Sequence, residues 1–334
     1  MSVNRSYRAT IQPIQESSHR PLWSVIIPTY NCANYLRETL ASVLAQDPGP
    51  DVMQIEVIDD HSTKDDPRAV VEELGKDRVG FYQQPQNVGY IKNFETCLQR
   101  SQGKLVHLLH GDDRILYGFY SKMQEAFEKN PDIGAAFRRH MYMDEHSNWL
   151  SITELEQPES GVLDHWLERM ASRQIIQTPS IVVRRNVYEK LGAFDHRITC
   201  NGEDWEMWVR IAHHFPVWYE VEPLALYRIH LKSLSGNAMR TGQNIRDLRT
   251  VIEIIKQYLP EEKSEKVSRD ALNFYAFEAL HYARKFIWNR DLPAASNQIQ
   301  EALKCSSSAK VRIASLKVYA RLLKHKFLSK ATTA

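Results

Sequence analysis

Short β-rich apolar runs alternate with helical segments along the first third of the chain, and this alternation restricts the fold more than any other feature. The run LWSVIIPTYN is rich in β-branched residues and is closed by Pro28 and Asn31. The following segment, ANYLRETLASVLAQ, has apolar residues at helical spacing and stops at DPGP. A strand, a turn and a helix are therefore predicted in succession.

The same order repeats up to residue 113. Alternating strands and helices require right-handed crossovers, so they predict a mainly parallel sheet with helices on both faces. Beyond Pro131 the elements are mixed, and from about Thr241 the pattern is helical to the end, which gives an α/β fold with a C-terminal α-helical extension. The predicted strands are QIEVIDD, RVGFYQQ, KLVHLLHGDD, IGAAFRRHMYM and PSIVVRR, and the predicted helices include PRAVVEELG, IKNFETCLQRS, RNVYEKLGAF and GEDWEMWVRIAHHF.

The composition is that of an ordinary globular protein. Of 334 residues, 43% are hydrophobic and 25% are charged, which argues against disordered, fibrous and disulfide-stapled chains. The four cysteines are far apart, so they indicate neither a zinc site nor a disulfide framework and favour a reducing compartment. Neither a membrane span nor a signal peptide is apparent, which predicts a cytoplasmic protein.

Polar segments follow four of the predicted strands. They are Pro28 to Asn31, Asp59 to Asp66, Asn87 to Gly89 and Asp112 to Asp113. In sheets of this kind ligands bind at the carboxyl ends of the strands, so the four segments are expected to meet at one crevice. Each segment alone is also explained by the turn preference of Asp, Asn, Gly and Ser. Their shared position favours a binding site.

Six motifs in order resemble glycosyltransferase family 2, a group of inverting enzymes with the GT-A fold that use nucleotide sugars. The resemblance spans roughly Trp23 to Gly236. It implies a GT-A nucleotide-sugar-binding domain over residues 21–240, preceded by a flexible arm (1–20) and followed by the helical extension (241–334). The motifs are SVIIPTYN, EVIDDHST, NVGYIKN, HGDD, GEDWEMWVR and YRIHLKSLSG.

Asp112 and Asp113 end an apolar strand as a pair of negative charges that repel each other. Divalent cations such as Mn²⁺ or Mg²⁺ prefer carboxylates together with phosphate oxygens, and a bound ion would remove the repulsion. The resemblance implies that Asp113 holds the metal ion on the donor diphosphate, with Asp112 against the ribose or a water near the ion. His110 stands where the family often has an acid. A solvated turn at a strand end is the alternative.

The nucleotide is expected at the ends of the first two strands. A carboxylate accepts hydrogen bonds from base imino groups and ribose hydroxyls, and the resemblance gives this contact to Asp59 or Asp60 without deciding between them. Pro28 shapes the adjoining turn, and Tyr30 is expected either near the base or in the core. The other residues that the resemblance places at the donor are Thr29, Asn87, Gly89, Asn93, Asp112, Arg228 and His230.

Glu203 and Asp204 open a predicted helix, where negative charge is favoured by the helix dipole and capping alone explains both residues. An inverting transfer also needs one general base to take the proton from the acceptor hydroxyl. The resemblance implies that Asp204 is this base and that Glu203 either supports it or contacts the acceptor. Trp205 or Trp208 would stack on an acceptor sugar, with core packing as the alternative.

Arg228 and His230 lie two residues apart, so on an extended segment they face the same side. A cationic side chain at Arg228 or Lys232 could neutralise the donor diphosphate, and His230 could bind the metal ion or a phosphate oxygen. The family that the chain resembles has an R-x-H element at this place. A half-exposed strand with satisfied polar groups explains His230 equally well.

The last predicted helix is basic and amphipathic. From Lys304 to Lys330 the chain has eight Lys or Arg residues and no Asp or Glu. An apolar stripe with basic residues on both flanks suits a helix lying on an anionic membrane surface. The alternative is a stripe packed on the domain with its charges in solvent, and nucleic acid is not expected because no recognition motif accompanies the charge. The stripe is Ile313, Leu316, Ala320, Leu323 and Phe327.

These features predict an inverting, metal-dependent glycosyltransferase acting from a UDP-, GDP- or dTDP-linked donor on a glycan or lipid-linked acceptor. Cell-surface polysaccharide synthesis and a peripheral position on the inner face of the membrane are expected. Nucleotidyl transfer would need a Gly-rich basic loop after the first strand, and an oxidoreductase would need G-x-G-x-x-G; IIPTYNCANY has neither. A non-catalytic carbohydrate- or protein-binding module of the same fold is the alternative.

Overall fold

The computed structural model describes residues 7–14, 20–230 and 234–331, with side chains described up to residue 326 in the last helix. The chain forms two compact units, each made of several segments. The expected boundary at residue 240 does not separate them, because two earlier segments belong to the helical unit. The first unit is Met1–Asp164, Ile176–His196 and Arg210–Ile229, and the second is His165–Ile175, Arg197–Val209 and His230–Ala334.

The first unit contains one sheet, which has ten strands among the described residues. The strands are β1 (Trp23–Thr29), β2 (Met53–Asp59), β3 (Gly80–Gln83), β4 (Leu105–Leu108), β5 (Arg114–Ile115), β6 (Ala135–Met143), β7 (Trp149–Ile152), β8 (Gly161–Val162), β9 (Ile181–Arg184) and β10 (Val217–Arg228). Their order is β3-β2-β1-β4-β9-β6-β10-β5, with β7 beside β6 and β8 beside β10. The α/β fold predicted from the sequence is thereby confirmed.

The parallel half of the sheet brings the polar loops together. β1 pairs in parallel with β2 and β4, and β2 pairs in parallel with β3. Thr29, the last residue of β1, is aligned with Asp59, the last residue of β2. The carboxyl ends of these strands therefore share one edge, where ligands bind in such sheets. The other half is mixed, since β9 is antiparallel to both β4 and β6 while β6 and β10 are parallel.

Helices flank this sheet because their apolar stripes complete its core. In α1 the buried Leu36, Leu40 and Val43 share one apolar cluster with Val25 and Ile27 of β1. Burial of each such side chain contributes about 1.5–3 kcal/mol. The helices of the first unit are α1 (Ala33–Leu44), α2 (Pro67–Leu74), α3 (Tyr90–Arg100), α4 (Phe119–Lys129) and α6 (Arg185–Leu191).

The described residues of the expected N-terminal arm are tied to the first unit. Arg8 and Asp195 form a buried ion pair at 3.1 Å, and their backbones form an isolated β-bridge. Ile11 is completely buried. The expectation of a loose arm therefore does not hold for residues 7–11, because an apolar side chain and a buried ion pair fix them; residues 1–6 and 15–19 lie outside the described ranges.

The second unit is helical, and its inner contacts explain why it includes early segments. Trp205 packs on Tyr275 with ring centroids 5.3 Å apart, and its indole N–H donates to the Met170 carbonyl oxygen. None of the helices in the described ranges is long and apolar enough to cross a membrane. The unit contains α5 (Trp166–Ser172), the first seven residues of α7 (Glu203–His214), α8 (Leu234–Thr241), α9 (Gln243–Ile255), α10 (Glu261–Trp288), α11 (Leu292–Cys305) and α12 (Ala309–Ala331).

Candidate functional site

The turn after β4, residues 110–113, is fixed by the end of β1 and by α1. The Gly111 N–H donates to the Pro28 carbonyl oxygen at 3.0 Å, and a Cβ atom at Gly111 would lie only 3.1 Å from that oxygen. A larger residue would push the turn away from β1. On the other side, the buried hydroxyl of Thr39 lies 2.7 Å from the Asp113 carbonyl oxygen and 3.1 Å from that of Gly111. The turn is therefore held in place from two directions.

One carboxylate oxygen of Asp113 is fixed by a hydrogen bond, and the other has no hydrogen bond to a described residue. Its side chain is 1% exposed, and its Oδ1 atom accepts the Arg228 backbone N–H at 2.8 Å. Its Oδ2 atom is buried and accepts no hydrogen bond from any described residue. Burial, followed by the negative charge of Asp112, raises the pKa of Asp113 well above its usual range. A buried carboxylate oxygen in this state is able to accept a hydrogen bond or to bind a cation.

His110 and Asp112 complete a group that can hold a metal ion. The ligand atoms of His110, Asp112 and Asp113 lie within 4.8 Å of one another. The His110 Nε2 atom is buried and makes no hydrogen bond to any residue the structure describes. Carboxylate oxygens and an imidazole nitrogen are suitable ligands for a divalent transition-metal ion, so the residues fit such a group. The sequence analysis gave no metal-binding role to His110. Its position in the motif HGDD, two residues before Asp112, could have indicated one.

Arg228 supports this turn from its far side. Its side chain is fully buried, and Nε donates to the Asp112 carbonyl oxygen at 2.7 Å. The guanidinium also binds Ser147 Oγ at 2.9 Å and Glu38 Oε2 at 3.2 Å, and it lies 4.4 Å from the ring centroid of Tyr35. The expectation that this side chain neutralises the diphosphate is therefore wrong, because the guanidinium is buried and engaged within the protein.

Asp59 and Asp60 organise two different loops. Asp59 is completely buried and accepts hydrogen bonds from the Ser62 hydroxyl at 2.5 Å and from Gln83 Nε2 at 2.9 Å. Asp60 accepts the backbone N–H groups of residues 88–89 at 2.8 and 3.0 Å. Burial raises the pKa of Asp60 against the effect of these two bonds. The pair therefore fixes the loops after β2 and β3, and a base contact by either carboxylate stays a prediction.

The end of β1 presents one exposed aromatic ring. Tyr30 is 48% exposed, so core packing does not account for it and its ring is available to a ligand. Pro28 and Thr29 are buried, and the Thr29 hydroxyl lies 2.9 Å from Cys32 Sγ. These two residues therefore shape the turn beneath Tyr30.

Two of the expected donor residues lie in the loop after β3 and are accessible, whereas a third lies in helix α3 and is buried. Asn87 is exposed and donates to the Asp60 carbonyl oxygen at 3.1 Å, while Gly89 has φ +85° and open space at its Cα. Asn93 is 2% exposed, and its amide binds the Ile58 carbonyl oxygen and the Gln84 side chain. The expected donor contact of Asn93 is therefore wrong, because both ends of its amide link α3 to the sheet.

Asp204, in the second unit, is held by a residue that the sequence did not single out. Its Oδ2 atom accepts Gln174 Nε2 at 2.8 Å, and its Oδ1 atom accepts the Trp205 backbone N–H at 2.7 Å. Glu203 and Asp204 are each 8% exposed at the start of α7. A carboxylate held in this way could act as a general base towards a hydroxyl within hydrogen-bond reach.

The aromatic residues of α7 are core residues. Trp205 is completely buried and Trp208 is 1% exposed. The expectation that Trp205 stacks on an acceptor sugar is wrong, because its ring is completely buried and packs on Tyr275. His230 is partly buried, and Lys232 lies outside the described residues.

Comparison with known proteins identifies the family. The family model described as glycosyl transferase family 2 matches residues 24–192, about half of the chain. The chain belongs to glycosyl transferase family 2. The putative teichuronic acid biosynthesis glycosyltransferase TuaG of Bacillus subtilis is 26% identical over 227 residues, which are 67% of this chain and 85% of TuaG.

Solved structures agree with this family 2 glycosyltransferase in fold. S. aureus TarS in complex with UDP-GlcNAc has a TM-score of 0.64 at 16% identity and covers 91% of this chain and 88% of the TarS chain. The mannosyltransferase PcManGT from Pyrobaculum calidifontis, in complex with GDP-Man and Mn²⁺, has a TM-score of 0.54 at 16% identity and covers 94% of this chain and 84% of that chain. At such identities the likeness establishes the GT-A fold.

Replacement of Thr39 by Val tests how the family 2 turn is held. The change removes the hydroxyl from two buried carbonyl groups, so we expect the free energy of unfolding to fall by about 1–3 kcal/mol in urea denaturation. Thr250→Val is the control, since Thr250 is an exposed helical residue whose hydroxyl binds within its own helix. Its effect should stay within about 0.5 kcal/mol. Equal losses for the two variants would contradict the assigned role of Thr39.

Proposed function

We propose that this chain is an inverting, metal-dependent glycosyltransferase that moves a sugar from a nucleotide-sugar donor to a hydroxyl of a glycan or lipid-linked acceptor. The observation that carries the proposal is the buried Asp113 carboxylate, with Oδ1 fixed by a backbone N–H and Oδ2 lacking a hydrogen bond from the described residues. Such an oxygen beside Asp112 suits a divalent cation. Membership of the family supports the transfer reaction.

The ion is proposed to be held by Asp113 and Asp112, with His230 as a further ligand or a contact to phosphate. When bound, a divalent cation stabilises the negative charge that develops on the departing nucleoside diphosphate. Asp113 offers an oxygen whose direction is already set, and Asp112 is the more accessible of the two acids. The Mn²⁺ in the PcManGT complex supports the choice of Mn²⁺ or Mg²⁺.

The nucleotide is proposed to lie along the ends of β1, β2 and β3. Tyr30 supplies an exposed ring for the base, and the Asp59–Asp60 pair supplies acceptors for the base or the ribose. Asn87 and Gly89 line the same edge, where Gly89 allows close approach of its backbone. TarS has been solved with UDP and PcManGT with GDP-Man, which supports UDP- and GDP-linked donors; the dTDP-linked donor is tested beside them.

Asp204 is proposed as the general base. In an inverting transfer the acceptor oxygen bonds to the anomeric carbon while the bond from that carbon to the phosphate oxygen breaks. The proton of the acceptor hydroxyl passes to the Asp204 carboxylate. Gln174 orients this carboxylate by donating to its Oδ2 atom. Glu203, the preceding residue, is proposed to contact the acceptor.

The acceptor is proposed to belong to a cell-surface polysaccharide. TuaG, a relative at 26% identity over most of its length, is named for teichuronic acid biosynthesis, and its name supports this acceptor class. TarS, which shares the fold, has been solved with UDP-GlcNAc.

Attachment to an anionic membrane surface is part of the proposal, and α12 supports it. Val311, Val318 and Leu322 of this helix are buried, and α12 contacts α10 and α11. On the opposite side Ile313 is 54% exposed and Leu316 is 69% exposed. Packing on the protein and attachment to a membrane are therefore compatible interpretations of α12. One apolar face of the helix is packed, and the other is exposed between basic residues. The exposed basic residues are Lys310, Arg312, Lys317, Arg321, Lys324 and Lys326, and the Phe327 and Lys330 side chains lie outside the described residues.

Asp113→Asn tests the metal and donor site, because it keeps an acceptor for the Arg228 N–H and removes the charge. The wild-type protein should gain thermal stability with UDP, GDP or dTDP when Mn²⁺ is present, since a ligand that binds only the folded state stabilises it. Asp113→Asn should lose the Mn²⁺-dependent part, through an affinity at least about tenfold lower. Asp132→Asn, an exposed acid, is the control. Absence of stabilisation by all three nucleotides would argue against a donor site.

Asp204→Asn tests the base. It preserves the shape of the side chain but cannot accept a proton, so transfer should fall by at least about 100-fold. Nucleoside diphosphate release from UDP-GlcNAc and from GDP-mannose, with water as a slow acceptor, measures this loss. Thermal stabilisation by nucleotide and Mn²⁺ should stay at the wild-type level. Asp270→Asn, an exposed acid of α10, should not change release. Wild-type release by Asp204→Asn would show that the base has been misassigned.

The double variant Ile313→Ser, Leu316→Ser tests membrane attachment more cleanly than deletion of residues 309–334, which would also remove the buried Val318 and Leu322. Binding to vesicles that contain phosphatidylglycerol should weaken at least roughly tenfold, because two apolar side chains no longer enter the interface. The control pair Leu155→Ser, Leu303→Ser changes leucines of similar exposure elsewhere. If the wild type and the α12 variant bind the vesicles equally, α12 does not attach the protein to a membrane and serves only to pack on the other helices.

A further inference from the structure

His110 lies beside Asp112 and Asp113, at the position where the family often has an acid. Its Nε2 atom is buried and makes no hydrogen bond within the described part of the chain. Its Nδ1 atom lies 3.9 Å from Asp113 Oδ2, which is too long for a hydrogen bond. Nδ1, and not Nε2, is the ring nitrogen near Asp113, and its separation of 3.9 Å from Oδ2 is within the range of two ligand atoms bonded to one ion.

We propose that His110 is a nitrogen ligand of the metal ion and makes the site prefer Mn²⁺ and similar transition-metal ions over Mg²⁺. This inference rests on the proposed metal-dependent transfer and names one of its ligands. Mg²⁺ prefers an all-oxygen octahedron, whereas imidazole favours first-row transition ions. With Asp112 and Asp113, His110 forms a mixed set of one nitrogen and two carboxylates.

The His110 ring is positioned before any ion binds. It stacks on Phe94 with centroids 5.0 Å apart and an interplanar angle of 19°. Phe94 is itself enclosed by Tyr90 and Phe194, whose ring centroids each lie 5.5 Å from its own. A ring held by its face can still direct its nitrogen edge at an ion. Pre-positioning of this kind lowers the ordering cost of binding.

The distances fit one ion after a small movement of the accessible carboxylate. Ligand atoms bonded to one ion at about 2.1 Å lie at most about 4.2 Å apart. The three candidate atoms lie within 4.8 Å of one another. Asp113 is fixed by Arg228 and His110 stacks on Phe94, so we expect Asp112, the partly exposed member, to make this movement.

Pulsed EPR of bound Mn²⁺ tests this ligand directly. The wild-type protein with Mn²⁺, alone and with UDP or GDP, should show coupling from a coordinated ¹⁴N nucleus. His230 is another proposed ligand with a ring nitrogen, so the comparison is made in a His230→Ala background. There His110→Ala should lose the coupling, and His146→Ala, which changes a histidine 76% exposed in the same unit, should retain it. Circular dichroism verifies that each variant is folded.

His110→Asp provides a second readout. It replaces the nitrogen by an oxygen, so the ratio of Mn²⁺ affinity to Mg²⁺ affinity, measured by titration calorimetry, should fall at least about tenfold. If the wild type binds Mn²⁺ without ¹⁴N coupling and His110→Asp keeps the wild-type ratio, His110 is not a ligand although the metal site stands. If the wild type binds no Mn²⁺ even with nucleotide, the metal-dependent function itself is overturned.

Discussion

The candidate donor site depends on keeping a carboxylate dehydrated and aimed in one direction at the end of a strand. Asp113 meets this demand because three neighbours share the task. The backbone N–H of Arg228 holds one oxygen, Thr39 holds the carbonyl group of the same residue, and Gly111 lets the turn approach β1. An isolated buried carboxylate would be strongly disfavoured. The surrounding contacts are therefore arranged around the one oxygen that they leave without a hydrogen bond.

The sequence predicted the parts that follow from local patterns. Alternating strands and helices predicted the helix-flanked sheet, and polar residues after strands predicted the edge of the sheet where these loops contact one another. The twelve-residue strand β10 was not predicted, because Glu220, Glu222 and Pro223 interrupt its apolar pattern. β10 nevertheless carries Arg228 to the turn at Asp113 through its antiparallel pairing with β5. A contact between residues more than 100 positions apart leaves no local signal.

Individual roles were harder to predict than positions. Arg228, Asn93 and Trp205 all lie in motifs that resemble the family's, yet each is buried and used for support. A sequence motif can contain residues that support a site as well as residues that contact the substrate. The motif alone does not distinguish the two. His110 illustrates the opposite case, since it departs from the pattern and still faces the candidate metal position. The inclusion of residues 197–209 in the helical unit rests on the packing of Trp205 against Tyr275, which spacing along the chain does not reveal.

The connection between β6 and β7 has the appearance of an ordinary surface turn, with Asp144 accepting hydrogen bonds from His146 and Asn148. Through Ser147 Oγ and the Asp144 carbonyl oxygen, however, this turn closes over the Arg228 guanidinium. Most surface loops tolerate insertions and deletions, but we expect that this turn does not. An insertion there would admit water to a buried cation, and the disturbance would reach the acidic pair by way of Arg228. Engineers who graft tags or swap loops into this protein should treat that turn as part of its interior.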